Sequence, residues 1–380
     1  MGDLSGLNDP LQKYNRLLDY LEHDPRNLNL IADACAMSLD IGSHDKTVEL
    51  LDRYAALAPL PPALVNLAGL AALRQDRFTD AAAIFESLLE AVPEDPDLRY
   101  NLAWARTMTG DHAAAAQLLD EAAGETVPGA AALKVQALHR LGDLEAALDY
   151  GAALAEKRPD DTAILGALSL VAVDAQMPEL ARQWAQRSAG TAEGLSTMGV
   201  LLLQDNHIDE ALACFDRGLE VRPDSARNLL GKGLARLAAG DAVGAADYLD
   251  QSAEQFGTHL GTWIAAGWAH FTAGDPIRAR AIFEHALVLD DTFSETHGAL
   301  AVMDILTGNM EAARRRAGIA LRLDPRSFAG ALAKTLLLEH DGDPQSAQKI
   351  RNITLNTPLE SGRTIAQAMI AIAPNWQRKN

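Results

Sequence analysis

Only two cysteines, Cys35 and Cys214, occur in 380 residues, and they lie far apart in the chain. No disulfide framework is expected at that count, and isolated thiols at packed positions fit a reducing compartment. Aromatic residues are also scarce, 5% against 48% apolar residues overall. Alanine and leucine carry most of the apolar share, which favours helix over sheet. No run of 18 apolar residues is present, so no membrane insertion is expected. The opening stretch, MGDLSGLNDPLQKYNRLLDY, has no basic start leading into an apolar run and reads as no secretory signal. Its sixth residue is Gly6, where a myristoylation signal needs Ser or Thr. A cytoplasmic location is the expectation. Basic residues are outnumbered, 33 Lys and Arg against 52 Asp and Glu, for a net charge of −19. That charge repels phosphates, so neither nucleic acid nor an anionic membrane is an expected partner. It is compatible with a basic protein segment, and it equally serves solubility.

Catalytic signatures are missing too. No GxSxG, HExxH, CxxC or Walker A sequence occurs. Gly231-Lys232-Gly233 resembles a phosphate loop only superficially, because Gly233 falls at a packing position inside a helix. The ten histidines do not cluster, and the acidic pairs Glu94-Asp95 and Asp160-Asp161 fall at loops. No catalytic residue, metal site or cofactor is expected, and the chain is read as no enzyme.

What the sequence does have is a period. Prolines stand at 25, 59 and 93, and glycines at 240, 274, 308 and 342, all in steps of 34. On that period the chain divides into ten units: 28–61, 62–95, 96–127, 128–161, 162–191, 192–225, 226–259, 260–293, 294–327 and 328–360. Unit 96–127 is short by two residues and unit 162–191 by four. Position 20 is alanine in nine units, from Ala81 to Ala347, with Thr47 the exception. Position 8 is mostly small, as in Cys35, Gly69, Ala103, Gly199, Gly233 and Gly267. Position 15 is glycine in seven units, and position 24 is bulky in most, as in Phe85, Leu119, Phe215 and Phe283. Proline closes many units at position 32.

Small residues at 8 and 20 let two antiparallel helices approach closely. Glycine at 15 takes the left-handed conformation that ends the first helix, and proline stops the second. Each unit therefore predicts a helix A, a tight turn and a helix B. Residues 10–23 predict a lone capping helix, with Asp9 as N-cap and Pro10 in the first turn. Residues 361–373 predict a second cap, followed by a loose tail, with Trp376 as the one residue able to pack back. Gly151, Ala185 and Arg351 are weak at position 24 and leave their helix ends unspecified.

This pattern resembles the tetratricopeptide repeat family over about residues 28 to 360. The resemblance implies an all-α fold, a right-handed superhelical solenoid of ten helix-turn-helix repeats with N- and C-terminal capping helices. The four-residue deletion near 190 predicts a discontinuity there. It gives a cap (1–27), an N-terminal arm (28–191), a C-terminal arm (192–360) and a final cap with tail (361–380).

In that family helix A lines the concave groove, with positions 2, 5, 9, 12 and 13 facing it, and helical spacing puts 2, 5, 9 and 12 on one face. Position 9 here is apolar and larger than alanine in eight units: Leu70, Trp104, Leu170, Val200, Leu234, Trp268, Val302 and Leu336. Tyr100 and Ile264 at position 5 and Phe271 at position 12 extend the strip. In one reading the strip only packs successive helices together. In the other it takes up an apolar or amphipathic segment of a partner protein. At roughly 1.5–3 kcal/mol per buried large side chain, three or four filled pockets support micromolar binding. Some family members clamp a partner's C-terminal carboxylate with lysine, asparagine and arginine. Asn66 and Asn101 match in part, but Gly129 and Leu133 stand where basic residues are needed. A partner held that way is not expected. The expected function is an adaptor, scaffold or assembly chaperone. The alternatives are a self-assembling homo-oligomeric solenoid and a non-catalytic subunit of an enzyme or secretion complex.

Overall fold

The computed structural model describes residues 9–356. The expected second cap (361–373) and Trp376 lie outside the described residues. Among the described residues there are helices and no strand.

The N-terminal cap is α1 (Pro10–His23), with Asp9 accepting from the Leu11 amide. Its Tyr14 and Leu21 are buried, whereas Leu11 is exposed. The repeats follow as A/B pairs: α2 (Leu28–Asp40) with α3 (His44–Ala55), and α4 (Pro62–Arg74) with α5 (Phe78–Leu89). In the third repeat α6 (Pro96–Met108) is followed by two short helices, α7 (His112–Leu118) and α8 (Glu121–Thr126). Then come α9 (Ala130–Arg140) with α10 (Leu144–Lys157), and α11 (Thr162–Asp174) with α12 (Pro178–Arg187). The sixth and seventh repeats are α13 (Ala192–Gln204) with α14 (Ile208–Val221) and α15 (Ala226–Ala238) with α16 (Ala242–Phe256). The last three are α17 (Leu260–Thr272) with α18 (Pro276–Leu289), α19 (Ser294–Leu306) with α20 (Met310–Leu323), and α21 (Phe328–His340) with α22 (Pro344–Leu355).

All ten pairs fall where the period puts them. Ten repeats and two caps imply twenty-two helices; the described residues hold twenty-two for a different reason, since the third B helix is two pieces and the second cap lies outside them. That helix is where the expectation of one unbroken B helix per repeat fails. Leu119 stays fully buried at φ −95°, ψ 89°, outside the helical region, while Asp120 caps α8 through the Ala123 amide. This unit is short by two residues, and Gly124 weakens a continuing helix.

The chain divides into two compact units, the first ending at Val171. In the first, α1 to α3 share one core with Leu64 of α4, and Phe85 centres the next. In the second, cores around Phe215, Leu249 and Phe283 follow in chain order. Within each unit a B helix packs on its own A helix and on the following A helix.

The columns acquire specific roles. At position 15 the seven glycines all have positive φ, from 75° to 90°. The three units without glycine place Asp76, Gln176 and Asn206 there, and these too are left-handed, at φ 58°, 58° and 64°. The turn is thus conserved in conformation through all ten units although the residue type is not. The Asp that often follows at position 16 caps helix B: Asp111, Asp143, Asp241, Asp275 and Asp343 each accept from a backbone amide in its first turn. At position 8 glycine makes room for the ring at position 24. A Cβ on Gly199 would lie 2.5 Å from Phe215, and one on Gly267 would lie 2.2 Å from Phe283. Gly151 reverses this relation, because Leu168 and Val135 fill the space a bulky residue would take there. Helix α10 accordingly runs straight through it.

At the 190 junction α12 has 10 residues, shorter than the 14 of α14, as the deletion predicts. Gly194 is a close-packing position there. It is buried in α13, where a Cβ would lie 2.4 Å from the Ser188 carbonyl oxygen.

Candidate partner-binding face

Successive A helices touch directly, as α2 and α4 do in the first unit and α13, α15, α17, α19 and α21 do in the second. Position 9 residues lie on these helices one repeat apart, and their surroundings differ.

In the first unit Leu70, Tyr100 and Trp104 are half-buried and Leu170 is buried. Trp104 lies between its own helix and the preceding one. The Tyr100 ring centroid is 6.2 Å from the Trp104 ring centroid, and the Arg74 guanidinium sits 5.9 Å from the Trp104 ring. A cation at that distance over an indole is attracted by the ring quadrupole. Burial raises the Tyr100 phenol above its ordinary pKa, with Arg74 opposing. Arg74 stands at position 13, one of the positions expected to face the groove; its contact with the Trp104 ring was not legible and comes from the distance alone.

In the second unit Val200 is half-buried and Leu234 is 37% exposed, the most open of the row. Trp268 is half-buried and packs edge-on against Phe271 at 5.6 Å and Phe283 at 5.3 Å. Ile264 and Val302 are buried, at 8% and 3% exposure, and Leu336 is half-buried against the same core. The sequence therefore names one row, and the structure divides it by access. Leu234, Val200, Leu70 and Trp104 present surface, while Leu170, Ile264 and Val302 are taken up by packing. Position 13 adds two exposed apolar residues, Met108 at 52% and Leu306 at 57%.

The row narrows at α19 for a local reason. A Cβ on Gly298 would lie 2.3 Å from the Gly330 amide nitrogen, so α19 and α21 meet backbone to backbone. Glu295 completes this joint, its two carboxylate oxygens accepting from the Phe328 and Ala329 amides at 2.7 and 2.9 Å. Asp304, 3% exposed, is held at 2.7 Å by Arg280 of α18 and at 2.7 Å by Arg316 of α20.

No group of three metal-ligating side chains occurs among the described residues, and no described helix is long and apolar enough to cross a membrane. Burial pushes the Cys35 thiol up to about 11 and raises Cys214 as well, which disfavours thiolate chemistry at either.

The family model described as tetratricopeptide repeat matches residues 66–131 and 197–258. No curated protein matches the sequence. Among solved structures, a chain of the APC/C hetero-tetramer Cut9-Hcn1 is similar at a TM-score of 0.60 and 15% identity, over 81% of this chain and 62% of that one. This chain thus spans less than two thirds of that protein. Human IFIT1, solved as a dimer with PPP-AAAA, is similar at a TM-score of 0.53 and 14% identity, over 90% and 93% of the two chains. At these identities the likeness carries the all-α repeat fold. That fold generally serves protein–protein interaction and scaffolding and is typically non-catalytic.

Proposed function

The chain being a tetratricopeptide-repeat protein, we propose that it is an interaction scaffold that holds an apolar or amphipathic segment of a partner protein against its A helices. The observation that carries this reading is the apolar row at position 9 that retains open surface, with Leu234 at 37% exposure beside half-buried Val200 and Trp268. An amphipathic helix docks on such a row through side chains spaced three and four apart. Each arm offers a surface of its own, 28–191 through Trp104 and Leu70 and 192–360 through Val200, Leu234, Trp268 and Phe271. Aromatic anchors at the centre of such a patch usually dominate affinity. A basic segment fits the net charge of −19.

A peptide library selected on the full chain tests this. The selected peptides should carry apolar residues at helical spacing, and Trp104→Ala or Leu234→Glu should weaken them by about 1 kcal/mol or more with helix content unchanged. Equal binding to both variants removes the A-helix face from the function. A self-assembling solenoid is the second reading, favoured by Ile277 and Val288 of α18, which are 84% and 85% exposed. A monomer by sedimentation across the micromolar range excludes it.

A further inference from the structure

Two joints of the array carry the same three residues at the same repeat positions. Lys134 and Lys232 stand at position 7 of their A helices, and Tyr150 and Tyr248 at position 23 of the paired B helices. Asp120 and Asp216 stand at position 25 of the preceding B helices. In the second unit the set is closed. Lys232 Nζ lies 2.5 Å from Asp216 Oδ1 and 4.2 Å from the Tyr248 ring centroid. Burial works against this ammonium, but Asp216 and Tyr248 outweigh it, and its pKa stands above the ordinary lysine value.

In the first unit the ring is kept and the carboxylate is lost. Lys134 Nζ lies 4.5 Å from the Tyr150 ring centroid. The break between α7 and α8 turns Asp120 elsewhere: Oδ1 accepts from the Ala123 amide at 2.8 Å, and Oδ2 lies 2.6 Å from Arg99. Among the described residues no carboxylate comes within ion-pair reach of Lys134, which is half-buried. Burial lowers its pKa, with the more distant charge of Asp120 opposing.

We propose that Lys134 is a modification site, an amine without a counter-ion on an aromatic face that accepts an acyl group from a small acyl phosphate. The ammonium first gives a proton to water. The Nζ lone pair then attacks the acyl carbonyl carbon, a C–N bond forms, the C–O bond to phosphate breaks, and phosphate leaves with the electron pair. The second amine proton passes to solvent. The amide product is neutral and rests on the Tyr150 ring without a buried charge.

The test treats the full chain with acetyl phosphate from pH 7 to 10 and quantifies acetylation at each lysine by mass spectrometry. At pH 8, Lys134 should be acetylated several-fold faster than Lys232, because burial favours its neutral amine while Asp216 holds the other as an ammonium. Its half-rise should fall at lower pH than that of Lys157, whose pKa is raised by Glu125 and Glu121. A shift in midpoint, unlike a rate alone, separates charge state from access. Asp216→Asn, which opens the second joint, should bring Lys232 several-fold closer to Lys134. Arg99→Ala, which frees Asp120, should slow Lys134 several-fold. The proposal is overturned if Lys134 is no faster than Lys232, or if it shares the pH profile of Lys157. It is also overturned if Asp216→Asn leaves Lys232 unchanged with helix content intact.

Discussion

In the third repeat the B helix breaks between Leu118 and Glu121, and its charged residues turn outward to Arg99 and Lys157. In the ninth, ten of the thirteen residues of α19 are buried, and its carboxylates point inward to cap α21 and to hold two arginines. Both repeats carry the same small-residue columns, with Ala115 and Ala313 fully buried at position 20. The columns set the helix pairing, and residues outside them set how tightly a pair is fastened to its neighbours. Length matters as well, since the third repeat is two residues short and the ninth is full.

The comparison is broken most readily at Gly298. Valine there would drive its Cβ into the backbone of Ala329 and Gly330, which cannot move as a side chain can. Gly298→Val should cost about 3 kcal/mol, read as a lower melting temperature of the second unit. A loss under about 1 kcal/mol would mean that close approach does not distinguish the ninth repeat. Asp304→Ala comes next. Breaking a buried ion pair costs about 3–5 kcal/mol, but Arg280 and Arg316 remain 28% and 29% exposed, so the expected loss is about 2 kcal/mol. Chemical denaturation at constant m-value checks it. The smallest effect sharpens the comparison between joints. Lys232→Met gives up Asp216 and should cost about 1 kcal/mol. Lys134→Met, removing an unpaired half-buried cation, should be neutral within about 0.5 kcal/mol.

The fold was legible because its causes are local and repeated. The seven position 15 glycines, the cap at Asp9 and nine of the ten A/B pairs follow from residue type and spacing. Asp76 and Asn206 carry a weaker form of that signal, since Asp and Asn tolerate the left-handed region, and Gln176 carries none. The break at Leu119 was hidden for a related reason. The segment from His112 to Thr126 is rich in helix formers, and the partner that draws Asp120 away, Arg99, lies on another helix. The binding row was legible as a set of residue types and not as a surface. Whether a position 9 side chain is open depends on how closely the next A helix approaches, and at Val302 that distance is set by Gly298, four residues earlier.

The fastening of α19 has a consequence for how the chain acquires its structure. Arg280, Asp304, Arg316, Glu295 and the start of α21 are joined within about fifty residues of sequence, so little loop-closure entropy opposes bringing them together. In an array whose units contact only neighbours, folding can begin anywhere and spreads from the segment with the strongest local interfaces. On these contacts the ninth repeat should be that segment. Its amides are then the last to exchange with solvent, and ordered structure grows outward from it toward both ends of its unit.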